Sequence, residues 1–176
     1  MRDSNTARAL LRVTVVTATA AWMCGLGAWP AVAQHAQPLP AFAVTAPDGR
    51  TVTSSALSGE AQFVVVYVRP GAVATTRLLE ALAAWQLAPE QLRRVVLIVE
   101  GPADKASAYL AGAWKPDSGT LTWYADADGG AAQALGLTGA PALKGVRAGA
   151  VAWSLEGVLN DPAAYEPTLK TWIGAR

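Results

Sequence analysis

The sequence predicts an α/β domain, a sandwich built on a mixed sheet, and three features carry that reading. Two unbroken runs of β-branched and apolar residues, Phe63 to Val68 and Val95 to Val99, suit strands covered on both faces. Each run is followed by apolar residues at helical spacing: Leu78, Leu79, Leu82 and Trp85 after the first, Ala106, Tyr109, Leu110 and Ala113 after the second. The chain then closes with a strand pair and a terminal helix instead of another strand–helix unit, so the sheet should be mixed.

Met1 to Ala33 reads as an export signal that precedes this domain. Arg2, Arg8 and Arg12 make a basic start, Val13 to Leu26 is uncharged and mostly apolar, and Ala31-Val32-Ala33 after Trp29-Pro30 is an A-x-A cleavage pattern. Cleavage there would leave Gln34 first. Val13 to Ala33 is also long enough to cross a bilayer as an uncut anchor, and membrane contact is expected only in that case. Cys24 falls inside the segment, and Ala21-Trp22-Met23 before it lacks the small-residue pattern of a lipid-modified cysteine.

Once the signal is removed, eleven basic residues stand against twelve acidic ones. Such a balance argues against nucleic acid or an acidic membrane surface as partner, since both need a basic face. No cysteine follows Cys24, so the mature chain has no thiol of its own, although export would place it where disulfides persist. Residues 34–176 suit one domain with one sizeable core and show no internal repeat.

Gln34 to Pro40 is a polar, proline-bearing lead-in, expected to be loose. Its His35 is the sole histidine, with no cysteine or second histidine nearby, so we read it as a solvated tail residue and assign no metal and no cofactor. Phe42 to Thr45 and Arg50 to Thr53 form a hairpin around Pro47-Asp48-Gly49, where Asp tolerates left-handed geometry and Gly supplies positive φ. Ser54 to Leu57 makes one helical turn, ended by Gly59. The strand Phe63 to Val68 breaks at Arg69-Pro70-Gly71 and restarts as a helix running to about Leu87, with Pro89 opening a further turn. That helix turns its free N–H groups toward the break, a favoured place for ligands in open α/β sheets.

After the second strand comes a helix from Pro102 to Trp114, closed by Pro116-Asp117-Ser118-Gly119. Leu121 to Tyr124 is a third strand, and Asp128-Gly129-Gly130 leads into a short helix, Ala131 to Leu135. Pro141 then stands directly before the strand pair Ala142 to Arg147 and Ala150 to Leu155, either as the start of an edge strand or as a cis bond in a functional turn. The last helix runs from Asp161-Pro162 to Ile173, with Pro167 either kinking it or marking a later start. Trp85, Trp114, Trp123, Trp153 and Trp172 are read as packing residues rather than a binding surface.

Two stretches add a family. The first is Leu39-Pro40-Ala41-Phe42 through Pro47-Asp48-Gly49-Arg50, then Leu57-Ser58-Gly59 and the strand Phe63 to Val68. The second is Asp126 to Gly129, Ala132 to Leu137, Thr138-Gly139-Ala140-Pro141, then Gly149-Ala150-Val151 and Gly157. In order and spacing they resemble the thioredoxin-like superfamily, in its exported redoxin branch related to peroxiredoxins and cytochrome-maturation thioredoxins. The resemblance implies a three-layer sandwich with a mixed central sheet over residues 41–176, and Pro141 as a cis-proline facing the turn Arg69 to Thr76.

By the same resemblance the family's C-x-x-C pair would fall near Ala72-Val73-Ala74-Thr75, in a register open by a residue. No thiolate stands there, and Thr75 and Thr76 have no histidine or acidic residue in the turn to activate a hydroxyl. What the resemblance leaves is a face for a protein or peptide partner, paired by strand addition beside Ala140 and Pro141. Arg69, Gly71, Ala72, Thr75 and Thr76 would line it, with Arg69 placed to receive a carboxylate or simply to be solvated. The expected function is therefore an exported, redox-inactive binding or assembly factor, periplasmic or secreted. The competing expectations are an oxidoreductase borrowing a partner's cysteine, on family analogy alone, and a structural domain of a larger envelope complex.

Overall fold

The computed structural model describes residues 37–114, 121–156 and 161–174. The export signal with Cys24, His35, and the turn Pro116 to Gly119 lie outside the described residues. Within them, eight strands form one mixed sheet: β1 (Gln37–Pro38), β2 (Ala43–Thr45), β3 (Thr51–Thr53), β4 (Gln62–Val68), β5 (Val95–Glu100), β6 (Thr122–Asp126), β7 (Ala142–Arg147) and β8 (Ala150–Leu155). Their order across the sheet is β1-β8-β7-β4-β5-β6-β2-β3. β4, β5 and β6 run parallel, and β7 lies antiparallel to β4, with Tyr67 opposite Ala142.

The two β-branched runs occupy the middle of this order, which is why they lack a polar face: Val64 to Val66, Val68 and Val95 to Val99 are completely buried. Odd and even residues of each strand feed different layers. Val64, Val66, Val68, Val95, Leu97 and Val99 pack under α1 (Val73–Ala84), α2 (Pro89–Leu92), α3 (Ala103–Ala113) and α5 (Pro162–Gly174). Phe63, Val65, Tyr67, Val96 and Ile98 face the opposite layer, made by α4 (Gly130–Ala134), the 3-10 turn Ser54–Ala56 and the Phe42 and Val44 side chains.

Aromatic side chains lock the terminal helix onto the sheet. Trp172 donates Nε1–H to the Phe63 carbonyl at 3.1 Å, stands edge-on to Trp153 with centroids 5.7 Å apart, and carries the Arg147 guanidinium 4.4 Å above its ring. Trp85 meets Tyr165 edge-on at 6.1 Å. All five tryptophans are half-buried against the larger core, which fits the packing role expected of them.

Several expectations need correction. α1 ends at Ala84, not Leu87, because Gln86 takes a left-handed φ of 48° that turns the chain and drops Leu87 into the core. Gln37 to Pro40 is not a loose lead-in: Gln37 and Pro38 pair with Val151 and Ala150, and the Leu39 N–H donates to the Gly149 carbonyl at 2.8 Å. Pro141 does not begin an edge strand, since β7 is flanked by β8 and β4. Pro167 does not mark a later start of α5, which runs from Pro162 to Gly174 with Pro167 inside it.

Candidate functional site

Three parallel strands end side by side, and the residues at their ends are charged. Register pairs Val68 with Val99 and Glu100 with Asp126, so Arg69, Glu100 and Asp126 form a row along the C-terminal edge of β4, β5 and β6. Arg69 is committed within that row: its Nε donates to Glu100 Oε2 at 2.6 Å, with the two side chains 60% and 36% exposed. An ion pair this open contributes ~0–1 kcal/mol. Its consequence is chemical, because Arg69 is already partly neutralised, with one of its five N–H donors given to Glu100. An acidic side chain therefore does reach this turn in space, although the turn's own sequence has none.

The chain leaves β4 through a turn that glycine makes feasible. Gly71 sits at φ 81°, where a β-carbon is strained, and the Ala72 N–H reaches back to the Arg69 carbonyl at 3.4 Å. Ala72 is then the N-cap of α1, extended at φ −76° and ψ 130°, with no side-chain cap and no acid in the first turn. The open N–H groups and the positive end of the helix dipole face outward unneutralised. Ala72 at the cap and Thr75 three residues on are the two ends of the stretch where the resemblance expects a C-x-x-C pair.

Those two positions differ in access. Thr75 is completely buried, and its hydroxyl has no hydrogen-bond partner. As a residue of a binding surface Thr75 is therefore a correction, since a docked chain could not touch it. Thr76 is exposed and its N–H bonds the Ala72 carbonyl at 3.2 Å. The residue that reasoning from sequence missed is Val73, 68% exposed at the head of α1. It lies off the buried stripe of Thr75, Leu78, Leu79 and Leu82, a position the helical spacing does encode.

Opposite the turn, the peptide bond between Ala140 and Pro141 is cis. Since Ala142 pairs with Tyr67, Ala140 and Pro141 come off the sheet beside Val68 and Arg69, at the same edge as the α1 N-terminus. Pro141 is buried and Ala140 half-buried. Sequence spacing alone does not reveal what holds this edge from below. Asp126, 1% exposed, accepts the Ala131 N–H at 3.0 Å, the Ala132 N–H at 3.1 Å and the Tyr67 hydroxyl at 3.0 Å. Burial and the Asp126 carboxylate push the Tyr67 phenol well above its usual range, so it stays protonated and donates.

A second carboxylate holds the approach to Pro141. Glu156, just past β8, ion-pairs with the nearly buried Lys144 and accepts Ser154 Oγ at 3.1 Å and Thr138 Oγ1 at 3.5 Å. Burial alone would raise its pKa. The hydrogen bonds from Lys144 and Ser154, the Lys144 charge and the Thr138 N–H outweigh burial and hold the carboxyl below its ordinary range.

The turn carries no thiol. It offers the N–H groups at the α1 N-terminus and the exposed Val73, beside the backbone of the Ala140–Pro141 loop. Among the described residues no group of three His, Cys, Asp or Glu could hold a metal ion. Two surface cavities of about 250 and 240 Å³ lie elsewhere, one between α2 and the end of α5 and one between β2 and β6, and neither includes a residue of the turn or of the Pro141 loop.

Known proteins place this geometry in a wider group. No protein-family model and no curated protein matches the sequence. Solved structures do match in shape. A candidate thiol:disulfide interchange protein DsbE from Chlorobium tepidum is 20% identical with a TM-score of 0.62, over 78% of this chain and 94% of that one. A thio-disulfide isomerase from Thermus thermophilus is 19% identical at 0.60, over 80% and 97%. A peroxiredoxin-like protein from Aquifex aeolicus is 12% identical at 0.58, over 78% and 86%. At these identities the likeness is one of fold, and the fold is thioredoxin-like.

Proposed function

We propose that this thioredoxin-like chain is an exported accessory or assembly factor that binds an extended polypeptide segment at the face made by Arg69 to Thr76 and Ala140-Pro141, and performs no thiol chemistry with its own residues. One observation carries the reading. The cap and third positions of α1, where the resemblance expects thiols, hold Ala72 and a buried Thr75, while the Ala140–Pro141 backbone comes off the sheet beside them.

The physics favours docking over catalysis at such a place. Main-chain pairing with the loop backbone beside Pro141 gives affinity without any reactive side chain. Gly71, Ala72, Val73 and Thr76 at the turn add a mostly apolar floor, and the Arg69–Glu100 pair marks its rim. Export is supported by the basic start, apolar stretch and A-x-A pattern of residues 1–33.

Two measurements on the purified full chain test this. Disulfide and peroxide turnover is expected to stay at the buffer level. An array of cysteine-free extended peptides is expected to yield binders that shift the amide signals of Val73, Thr76, Gly139 and Ala140. Turnover above buffer, or binders whose shifts cluster away from this face, would overturn the reading.

A further inference from the structure

We propose that Glu156 is a positioning residue that sets the height and angle of the Ala140–Pro141 backbone, through a clasp on Thr138; the inference rests on the peptide-docking reading above. Glu156 joins three segments at one carboxylate. Oε1 takes Lys144 of β7 and, at 3.1 Å, Ser154 of β8; Oε2 takes the Thr138 hydroxyl at 3.5 Å. Thr138 opens the four-residue stretch that ends at Pro141, and Lys144 lies two residues after Ala142, where that stretch enters the sheet. The loop is thus tied on both sides of Pro141 to one anchor just past the end of β8.

Stability alone is a poor reason for this arrangement. Lys144 and Glu156 are only 11% and 24% exposed, and desolvating two charges cancels much of their attraction, so apolar residues of the same size would serve the core as well or better. What an ion pair adds is direction: Lys144 holds one carboxylate oxygen, and the other is then aimed at Thr138. A docking edge that pairs main chain to main chain needs this, since a misplaced donor or acceptor loses its hydrogen bond.

The test uses the full chain and a fluorescein-labelled, cysteine-free heptapeptide selected from the array. Thr138→Val removes only an exposed loop hydroxyl, Glu156→Gln removes the charge, and Ser154→Ala removes a contact to Glu156 that does not reach the loop. Thr138→Val and Glu156→Gln are expected to raise Kd about tenfold and to speed amide exchange at Gly139 and Ala140. Ser154→Ala should leave both near wild type. A purely structural role would lower the melting temperature while leaving Kd unchanged at low temperature. Wild-type Kd in both Thr138→Val and Glu156→Gln would overturn the proposal. If wild type binds no peptide at all, the docking reading fails by itself, and unchanged exchange at Gly139 and Ala140 in the variants would then overturn the clasp.

Discussion

Asp126→Ala is expected to cost about 3–5 kcal/mol of folding stability, because it strands two helix N–H groups and a phenol in the interior. The carboxylate accepts from Ala131, Ala132 and Tyr67 at 3.0–3.1 Å and is 1% exposed, so water cannot replace it. For a domain of this size that is a large part of a total on the order of 5–15 kcal/mol, and it corresponds to a drop of roughly 10 °C in melting temperature. Tyr67→Phe removes one donor and leaves the carboxylate its two backbone partners, so about 1 kcal/mol is expected. Urea denaturation of the three proteins checks the ranking. A loss under about 1 kcal/mol for Asp126→Ala would mean that α4 is not held by this residue.

Gly145→Ala is expected to be as damaging, for a steric reason. The indole of Trp153, its register partner on β8, lies across Gly145, so an added β-carbon would stand 2.1 Å from Trp153 Nε1 and 2.2 Å from Cε2. The ring has little freedom to retreat, since Trp172 stands against it edge-on, and β7 is bonded on both sides. Overpacking of this kind costs about 3 kcal/mol when backbone must move. Combining it with Trp153→Leu should recover part of that loss, giving a coupling above about 1 kcal/mol in a double-mutant cycle. Strict additivity would show that the ring does not rest on Gly145.

Much of this fold is legible in the chain because its signals are local. β-branched runs specify β4 and β5, Pro47-Asp48-Gly49 specifies the β2–β3 hairpin, and the last strand pair stands where the sequence places it. β1 is not legible: Gln37 and Pro38 carry no apolar alternation, and their pairing depends on the edge that β8 presents. The α1 ending is missed because Gln86 adopts a conformation that glutamine seldom marks.

The site divides in the same way. The turn and Pro141 are visible as breaks in pattern, but what surrounds them depends on strand order. Arg69 ends one apolar run and Glu100 ends the next, and only the parallel pairing of β4 with β5 makes them partners. Asp126 and Glu156 look like ordinary surface acids until the fold encloses them. Thr75 is different: it stands three and four residues before Leu78 and Leu79, so the helical repeat already assigns it to the buried face.

Docking of a polypeptide at the surface formed by the turn and Pro141 is checked by site-specific capture. A photo-crosslinker replaces Val73, exposed at the head of α1, in the full chain, and a second protein carries it at Lys105, exposed on α3. Both are irradiated in native envelope extract and with the array-selected peptide. The account predicts a discrete polypeptide adduct from position 73 that the free peptide competes away, and none from position 105. Equal capture from both positions, or capture at 73 that the peptide does not reduce, would contradict it.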